Sequence, residues 1–308
     1  MGKGASAARS GARKTADAVP DGMADWSGAA LSSVTKTMAR VARVGLSPRR
    51  VVQNHRKRGH DVAVLSDLRL LDLEQIDAVR GRGMNLYYPF AAALSGAGAG
   101  IVISGGSLVT AVSAGAAAAP SGAAIAGAMA GDAAAVLGLA SRSVGHVSLL
   151  YGYDPEDPSE KLFIMSVINA GTAVSASAKT AAFADISRLT QALVRGKAWA
   201  ILDKSVIAQV SKRFANALSV RLTKQSLGKV VPAAGIVIGS GFNWATLESI
   251  IDTADMAYRR RFLLEKYPQL KAEAVPVVPQ RTTEDEDGVD EDISILTELV
   301  EAGGPDLQ

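Results

Sequence analysis

The chain has 308 residues, of which 48% are apolar and 5% aromatic, and its sequence contains no cysteine. The lack of cysteine excludes disulfides, thiolate metal sites and cysteine nucleophiles, and the scarcity of aromatic residues favours closely packed helices over a β-sandwich. The net charge of +3 is unevenly spread, because residues 1–82 sum to +7 and residues 272–308 sum to −10. A basic body with an acidic tail is consistent with an anionic partner, an intramolecular mimic of one, or plain solubility.

The amino-terminal part predicts a disordered start followed by three helices. Residues 1–22 lack apolar periodicity, and we expect them to be disordered. Apolar residues at helical spacing predict a helix over residues 25–44. Ser47 and Pro48 then form a typical helix start, with proline at the first helical position. A third helix is expected over residues 66–80, where leucines recur at helical spacing.

No charged side chain occurs between Gly83 and Gly131, a run made mostly of Gly, Ala and Ser. Such a run must be buried, either in a protein core or against lipid. Pro120 near its middle predicts two helices joined by a turn, a Gly/Ala-rich hairpin. The pairs Gly96 and Gly100, and Gly127 and Gly131, allow close packing, and we assign the close approach to Gly127 and Gly131. Each arm is long enough to span a hydrocarbon core of about 30 Å. Gly and Ser supply little transfer free energy, however, so the hairpin is expected to be marginal between protein and membrane.

The second arm ends in a turn that is followed by a strong helix start. Residues 151–155 read YGYDP and close the arm. Asp157, Pro158 and Glu160 then predict a helix, with Asp157 as its cap, Pro158 at its first position and Glu160 completing a capping box. Helices are accordingly predicted over residues 158–171, 173–194 and 199–218.

The last long helix is predicted from about residue 236 to residue 267. Gly235 and Gly239 form a further glycine pair at its start, and three arginines lie near its end, where cations complement the helix dipole. Residues 272–308 are rich in proline and acidic residues and are expected to be mostly disordered, with room for one short amphipathic helix around residues 293–300. No sustained alternation typical of strands occurs, so the sequence predicts an all-α fold.

Two elements, taken with their order and distance, resemble the landmarks of the EcsC family of bacterial proteins. The first is the YGYDP segment with a histidine shortly before it, and the second is a proline followed by spaced glycines, an asparagine and a helix that ends in a basic cluster. The matching residues are His146, Tyr151, Gly152, Tyr153, Asp154, Asp157, Pro232, Gly235, Gly239 and Asn243. The resemblance spans roughly residues 25–268. It implies an all-helical fold, and the family is named after a locus with an ABC-type exporter, but it implies no agreed biochemical activity.

The motifs of phosphate binding and hydrolysis are incomplete. Gly196-Lys197 and Gly228-Lys229 lack the following Ser or Thr of a P-loop, and neither Gly-x-Ser-x-Gly nor His-Glu-x-x-His occurs. His55 and His60 are five residues apart, which puts them on different faces of a helix, so we interpret them as two exposed histidines. We interpret His146 as a hydrogen-bonded core residue. We predict no catalytic, cofactor-binding or metal-binding residue.

Basic residues near both ends of the helical region are candidate contacts to anionic lipid beside an insertable hairpin. They are Arg49, Arg50, Arg56, Lys57, Arg58, Arg259, Arg260 and Arg261. The alternative is a solvated basic helix face. Nucleic acid is not expected, because aromatic residues do not interleave with the basic ones and no helix-turn-helix spacing is evident.

These observations predict an all-α protein with a disordered segment at 1–22, an EcsC-like all-helical domain at 23–271 and an acidic, mostly disordered tail at 272–308. We predict a cytoplasmic, membrane-associated protein, peripheral or hairpin-inserted, that acts by binding or as an accessory factor linked to export or envelope processes. Its predicted partners are a membrane surface or anionic lipid and a membrane protein. Two alternatives stay open: a hydrolase or lipid-modifying enzyme with a site near His146, Tyr151, Tyr153 and Asp154, and a soluble helical scaffold.

Overall fold

The computed structural model describes residues 47–81, 83–112, 122–195, 204–226, 235–267, 269 and 293–307. These ranges contain helices and connecting turns and no strand, so the predicted all-α fold is confirmed. The elements are α1 (Pro48–Lys57), a 3₁₀ helix (Leu65–Leu70), α2 (Leu73–Arg80), α3 (Gly83–Val112), α4 (Gly122–Leu150), α5 (Pro158–Thr172), α6 (Ala176–Val194), α7 (Lys204–Ser226), α8 (Gly235–Lys266) and α9 (Ile295–Glu301). The predicted segment 1–22 and the helix over 25–44 lie outside the described residues.

The predicted helix over residues 66–80 is divided into two elements. Leu71 has extended backbone angles and ends the 3₁₀ helix. Asp72 then begins α2, where the Oε1 atom of Gln75 accepts a hydrogen bond from the Asp72 backbone N–H at 2.9 Å. This reciprocal cap satisfies a backbone donor that the helix itself leaves free. The break turns α2 into a separate short element in front of the long helix α3.

Helix α8 lies at the centre of the described bundle and contacts α3, α4, α5 and α6. Its most extensive contact is with α3, and the two backbones meet at Gly96 and Gly239, where a Cβ atom on Gly96 would lie 2.3 Å from the Gly239 carbonyl oxygen. Only glycine permits this separation, because any side chain would have to overlap the opposite backbone.

The two helices predicted on either side of Pro120 are present as α3 and α4, which contact each other. The predicted turn around Pro120 lies outside the described residues. The close contact assigned to Gly127 and Gly131 is not formed at Gly131, which is exposed, with nothing within 4 Å of a Cβ atom built on it. The close helix contact of α3 is made instead with α8.

The C-terminal part of the acidic tail contains the short amphipathic helix that the sequence allows around residues 293–300, as α9, and this helix is packed into the core. Residues 293–307 are packed against α5 and α7, and Ile295, Leu296 and Leu299 are at most 1% exposed. The helical core therefore extends beyond the predicted domain limit at residue 271. Residues 272–292 lie outside the described part of the chain.

Candidate functional site

The Tyr151-Gly152-Tyr153 segment forms a tight turn at the end of α4. The Tyr153 N–H donates to the Ser148 carbonyl at 2.9 Å. Gly152 has a φ of +85°, and a Cβ atom there would lie 3.0 Å from the Leu65 carbonyl oxygen. Glycine is required at this turn, because both the backbone angle and the close neighbour disfavour a side chain.

The turn places two tyrosine rings in an aromatic cluster against α8. Tyr151 stacks on Tyr258 with ring centroids 6.3 Å apart and also meets Phe262 edge-on. Tyr153 lies 5.8 Å from Tyr258, and Phe163 of α5 meets Tyr258 edge-on at 5.0 Å. These rings join the ends of α4 and α8 to the start of α5, and offset or edge-on pairs of this kind add to the stability that burial provides.

A buried ion pair lies beside this aromatic cluster. Arg261 donates to Glu160 at 2.8 Å, and the two side chains are only 7% and 3% exposed. The Tyr258 hydroxyl also donates to Glu160, and Arg261 donates to Glu265 at 3.0 Å. The guanidinium carbon of Arg261 lies 3.9 Å from the centre of the Tyr153 ring, a cation–π contact.

The electrostatics of this cluster follow from its burial. Burial raises the pKa of the Glu160 carboxyl, while the charge of Arg261 and the hydrogen bond from Tyr258 lower it. Burial, followed by the charge of Glu160, raises the pKa of Tyr258. Burial lowers the pKa of Arg261, but Glu160, Tyr153, Glu265 and Tyr258 together raise it by more, so the net direction is upward. Each charge is thus bonded to another member of the cluster, which is the arrangement of a structural ion pair.

Glu160 does not perform its predicted role. The sequence predicts a capping box with Asp157, yet the Asp157 side chain makes no cap hydrogen bond and Glu160 turns into the core. Asp154 forms a local turn, in which its Oδ1 atom accepts the Glu156 N–H at 3.0 Å. Turn formation is the common use of such an aspartate.

The hydrogen-bond contact of His146 is to α3 and not to the Tyr151–Tyr153 turn. Its Nδ1 atom is 3.4 Å from the Tyr88 hydroxyl of α3. Burial, followed by the charge of Arg142, lowers the pKa of His146. Since His146 bonds to Tyr88 and Asp154 to its own turn, the described contacts do not bring together the residues of the enzyme alternative.

A shallow groove of about 420 Å³ lies elsewhere, between α6 and α8. Its polar lining includes Lys179, Glu248 and Asp252, and none of the residues that match the family pattern lines it. Within the described ranges, no group of three or more His, Asp or Glu side chains is placed to hold a metal ion.

The second family landmark forms a polar bridge between three helices. Asn243 of α8 donates to Asp132 of α4 at 2.7 Å and to the Ala92 carbonyl of α3 at 3.2 Å. Ser95 donates to the same Asp132 oxygen at 3.1 Å. Gly235 begins α8, and Gly239 makes the close contact with Gly96 described above, whereas Pro232 lies outside the described residues. Buried polar groups paired in this way fix how the helices align.

The predicted lipid-contacting basic residues fall into two sets. Those of the α1 region are exposed: Arg49, Arg50, Arg56, Lys57 and Arg58. Those of α8 are engaged in the fold. Arg259 pairs with Asp77 at 2.9 Å, and Arg260 is 3.5 Å from the Ser187 hydroxyl. Arg261 is buried in its ion pair, which removes it from the candidate lipid contacts.

His55 and His60 contact each other, contrary to the sequence interpretation. Helix α1 ends at Lys57, and Gly59 adopts a φ of +84°, which turns the chain back on itself. The Nδ1 atoms of the two histidines are then 2.9 Å apart, and His55 is buried. Burial, followed by the charges of His60 and Arg58, lowers the pKa of His55 to about 4.

An exposed apolar surface on α3 is the feature that the sequence did not reveal. Leu86, Tyr87, Phe90 and Leu94 are between 55% and 63% exposed. We call these four residues the α3 stripe. Three of them are spaced by four residues, which places them on one helix face, while Met84, Tyr88 and Ala92 are buried. The spacing was a signal, but which face of α3 is covered depends on how α4 and α8 pack against it.

One helical segment, Gly127–Leu150, is long and apolar enough to cross a membrane when the described residues are searched by length and composition. Within the structure, 72% of its most apolar window is buried. A buried core helix of a soluble protein passes the same test, so this segment does not decide between core and membrane.

Comparison with known proteins gives a family. A family model described as the EcsC protein family matches residues 105–263. The chain is also similar to the uncharacterized protein YdbA of Bacillus subtilis (strain 168), with 26% identity over 137 residues, which are 44% of this chain and 47% of the relative. The chain thus spans about half the length of the curated relative it matches. No solved structure matches the chain.

Proposed function

The chain belongs to the EcsC protein family, and from that premise we propose that it is a membrane-associated binding protein with an accessory role at the cell envelope. In this proposal the α3 stripe contacts the apolar part of a lipid surface, and the exposed basic residues of α1 contact anionic headgroups. Catalysis is not part of the proposal, because His146 and Asp154 of the enzyme alternative bond to separate partners.

The α3 stripe is the observation that carries this proposal. Single exposed apolar residues are normal on soluble proteins, whereas a contiguous set on one face marks an interaction surface. The stripe lies on a helix of 30 residues that contains no charged side chain from Gly83 to Val112. At 1.5 Å per residue, such a helix is about 45 Å long.

The chemistry of the stripe fits lipid better than it fits a folded protein partner. Its aromatic members, Tyr87 and Phe90, lie near the start of the charge-free helix, five and eight residues after Arg82 in the sequence. Aromatic residues beside basic ones at the end of an apolar segment are typical of the membrane–water interface. The tyrosine supplies a polar hydroxyl and the phenylalanine an apolar ring.

The basic residues of α1 would add an electrostatic attraction. Each Lys or Arg near an anionic surface contributes about 1 kcal/mol, and the attraction decays over about 8–10 Å at physiological salt. Arg49, Arg50 and Arg56 are exposed on α1. Arg259 contributes less, because Asp77 already neutralises it.

A peripheral mode is favoured over insertion of both hairpin arms. Insertion of α4 would require its largely buried apolar window to leave the core. It would also take the buried Asp132 away from Asn243 and Ser95. Contact through the already exposed stripe requires neither change.

Flotation with lipid vesicles tests the proposal. We expect the protein to float with anionic vesicles, to float less with neutral ones, and to leave a salt-resistant fraction on the anionic vesicles. Phe90→Asp combined with Leu94→Asp should abolish the salt-resistant fraction. Val174→Asp combined with Val220→Asp is the matched control, because these valines are 70% and 48% exposed away from the stripe.

Equal binding to neutral and anionic vesicles would remove the electrostatic half of the proposal. Binding to neither would leave a soluble helical scaffold as the function. Equal loss of binding in the stripe variant and in the control would show that the stripe is not the lipid contact.

A further inference from the structure

The C-terminal segment, residues 293–307, occupies a groove formed by α5, α6 and α7. Its helix α9 buries Ile295, Leu296 and Leu299, which are at most 1% exposed. Leu307 is also buried, at 8% exposed, and Gly304 packs closely on Leu299 within the segment. The opposite face of α9 is open, with Val300 41% exposed.

The groove recognises the start of α9 through two polar side chains. Asp185 of α6 accepts hydrogen bonds from the Ser294 hydroxyl and the Ile295 N–H, both at 2.9 Å. Asn169 of α5 donates to the Ile293 carbonyl at 2.6 Å. Asp185 thereby caps backbone donors that a helix leaves free. Burial raises the pKa of Asp185, and the hydrogen bonds from the segment lower it. An empty groove would therefore leave this buried carboxylate without the donors that stabilise its charge.

The groove recognises the rest of α9 by charge. Arg213 of α7 pairs with Glu298 at 3.2 Å and with Glu301 at 2.8 Å. The two glutamates are three residues apart and therefore lie on one face of the helix. The groove thus offers a cation to two glutamates of α9 and an apolar surface to its buried residues. This combination selects a helix that is both acidic and amphipathic.

Polar contacts to the three neighbouring helices hold the segment in the groove, through Asn169 of α5, Asp185 of α6 and Arg213 of α7. Helix α9 has only seven residues, and so short a helix is not stable in isolation. The helix of α9 thus depends on its docking, as in a bound peptide.

We propose that this groove is a peptide-binding site which the chain fills with its own C-terminal segment, and which takes an acidic amphipathic helix of a partner protein in its place. The recognised pattern is that of residues 294–301: a capping serine, two apolar residues, a glutamate and a leucine together, and a second glutamate three residues after the first. The partner must compete with a tethered segment whose effective concentration is on the order of millimolar. The proposal is independent of the lipid-binding surface.

A peptide of residues 293–307 tests this in trans against the full-length chain. Leu299→Asp in the chain should release its own segment, because it puts a charge at a fully buried position. The labelled wild-type peptide should then bind this variant saturably, as measured by fluorescence anisotropy. Val300→Asp in the chain is the matched control, since Val300 is exposed and the tethered segment stays docked. The labelled peptide should bind this control at least about tenfold more weakly.

A second variant keeps the test informative if Leu299→Asp causes the protein to misfold. Glu298→Lys with Glu301→Lys keeps all buried apolar side chains and reverses the charges that face Arg213. Tighter peptide binding to either altered chain than to the Val300→Asp control supports the proposal. If neither altered chain binds the peptide more tightly than the control, residues 293–307 are a fixed part of the core and the proposal is wrong.

Discussion

At the scale of single residues, the ion pair of Arg261 and Glu160 holds three elements together. It connects the first turn of α5 to the last turns of α8 and contacts Tyr153 at the end of α4. Both charges are removed from water, so each depends on the other for compensation. The loss of one partner is therefore more damaging than the loss of both.

Arg261→Met should destabilise the protein by about 3–5 kcal/mol, because it leaves Glu160 buried without its cation. Adding Glu160→Leu should restore part of that loss. Arg259→Met is the control, and it should cost about 0–1 kcal/mol because its pair with Asp77 is largely exposed. Urea unfolding followed by circular dichroism measures these differences. A double variant less stable than Arg261→Met would contradict this account of the pair.

His55 predicts a dependence of stability on acid. Its pKa is about 4 in the folded state, below the ordinary value of 6.5, because the ring is buried beside His60 and Arg58. The stability that its neutral form contributes is fully present above pH 6.5 and is lost as the pH falls toward 4. A His55→Gln variant should therefore lose less stability than the wild type over this window. Parallel pH profiles of melting temperature for the two proteins would refute the role of His55.

The sequence could not predict the roles of His55 and Glu160, although it identified both residues. Helical spacing separated His55 from His60, but the helix ends before His60 and the turn at Gly59 reverses the chain. A capping box was the local use of Glu160, but Arg261 lies 101 residues away and is a stronger partner inside the core. In both cases a contact set by the tertiary fold replaced the local pattern.

At the scale of helices, glycine spacing predicted that close contacts exist but not which helices make them. Gly96 and Gly239 meet where α3 and α8 pack, whereas Gly131 faces open space. A small residue permits approach on whichever face is turned toward a neighbour. The helix starts at Pro48 and Pro158, which depend only on local sequence, are confirmed.

Gly96→Ala should destabilise the protein by about 1–3 kcal/mol, because the added methyl group overlaps the Gly239 backbone and the helices must separate. Gly131→Ala is the matched control. It places the same methyl group in open space on a helix, where alanine is favoured over glycine by about 1 kcal/mol. Thermal unfolding of both variants gives the comparison. Equal effects of the two substitutions would show that the α3–α8 contact is not close.

At the scale of the whole molecule, composition and pattern were enough to predict an all-α fold, since scarce aromatic residues, abundant Gly and Ala, and no alternation typical of strands favour packed helices. The docking of α9 was beyond the sequence, because Asp185 and Arg213 are each more than 80 residues from their α9 partners. The α3 stripe was beyond it for the same reason: α8 and α4 cover the other faces of α3. Surfaces that result from packing become visible only when the packing is known.

The most direct test of lipid contact through the α3 stripe uses a single label on it. The chain has no cysteine, so Phe90→Cys can carry one polarity-sensitive fluorophore, and Val174→Cys can carry the same label at an exposed site outside the stripe. With anionic vesicles we expect the emission of the label at residue 90 to shift to shorter wavelength and to be quenched by lipid-borne quenchers. The label at residue 174 should keep the emission of a water-exposed fluorophore when the vesicles are added. A water-like emission at residue 90 in protein that is bound to the vesicles would contradict lipid contact through the stripe.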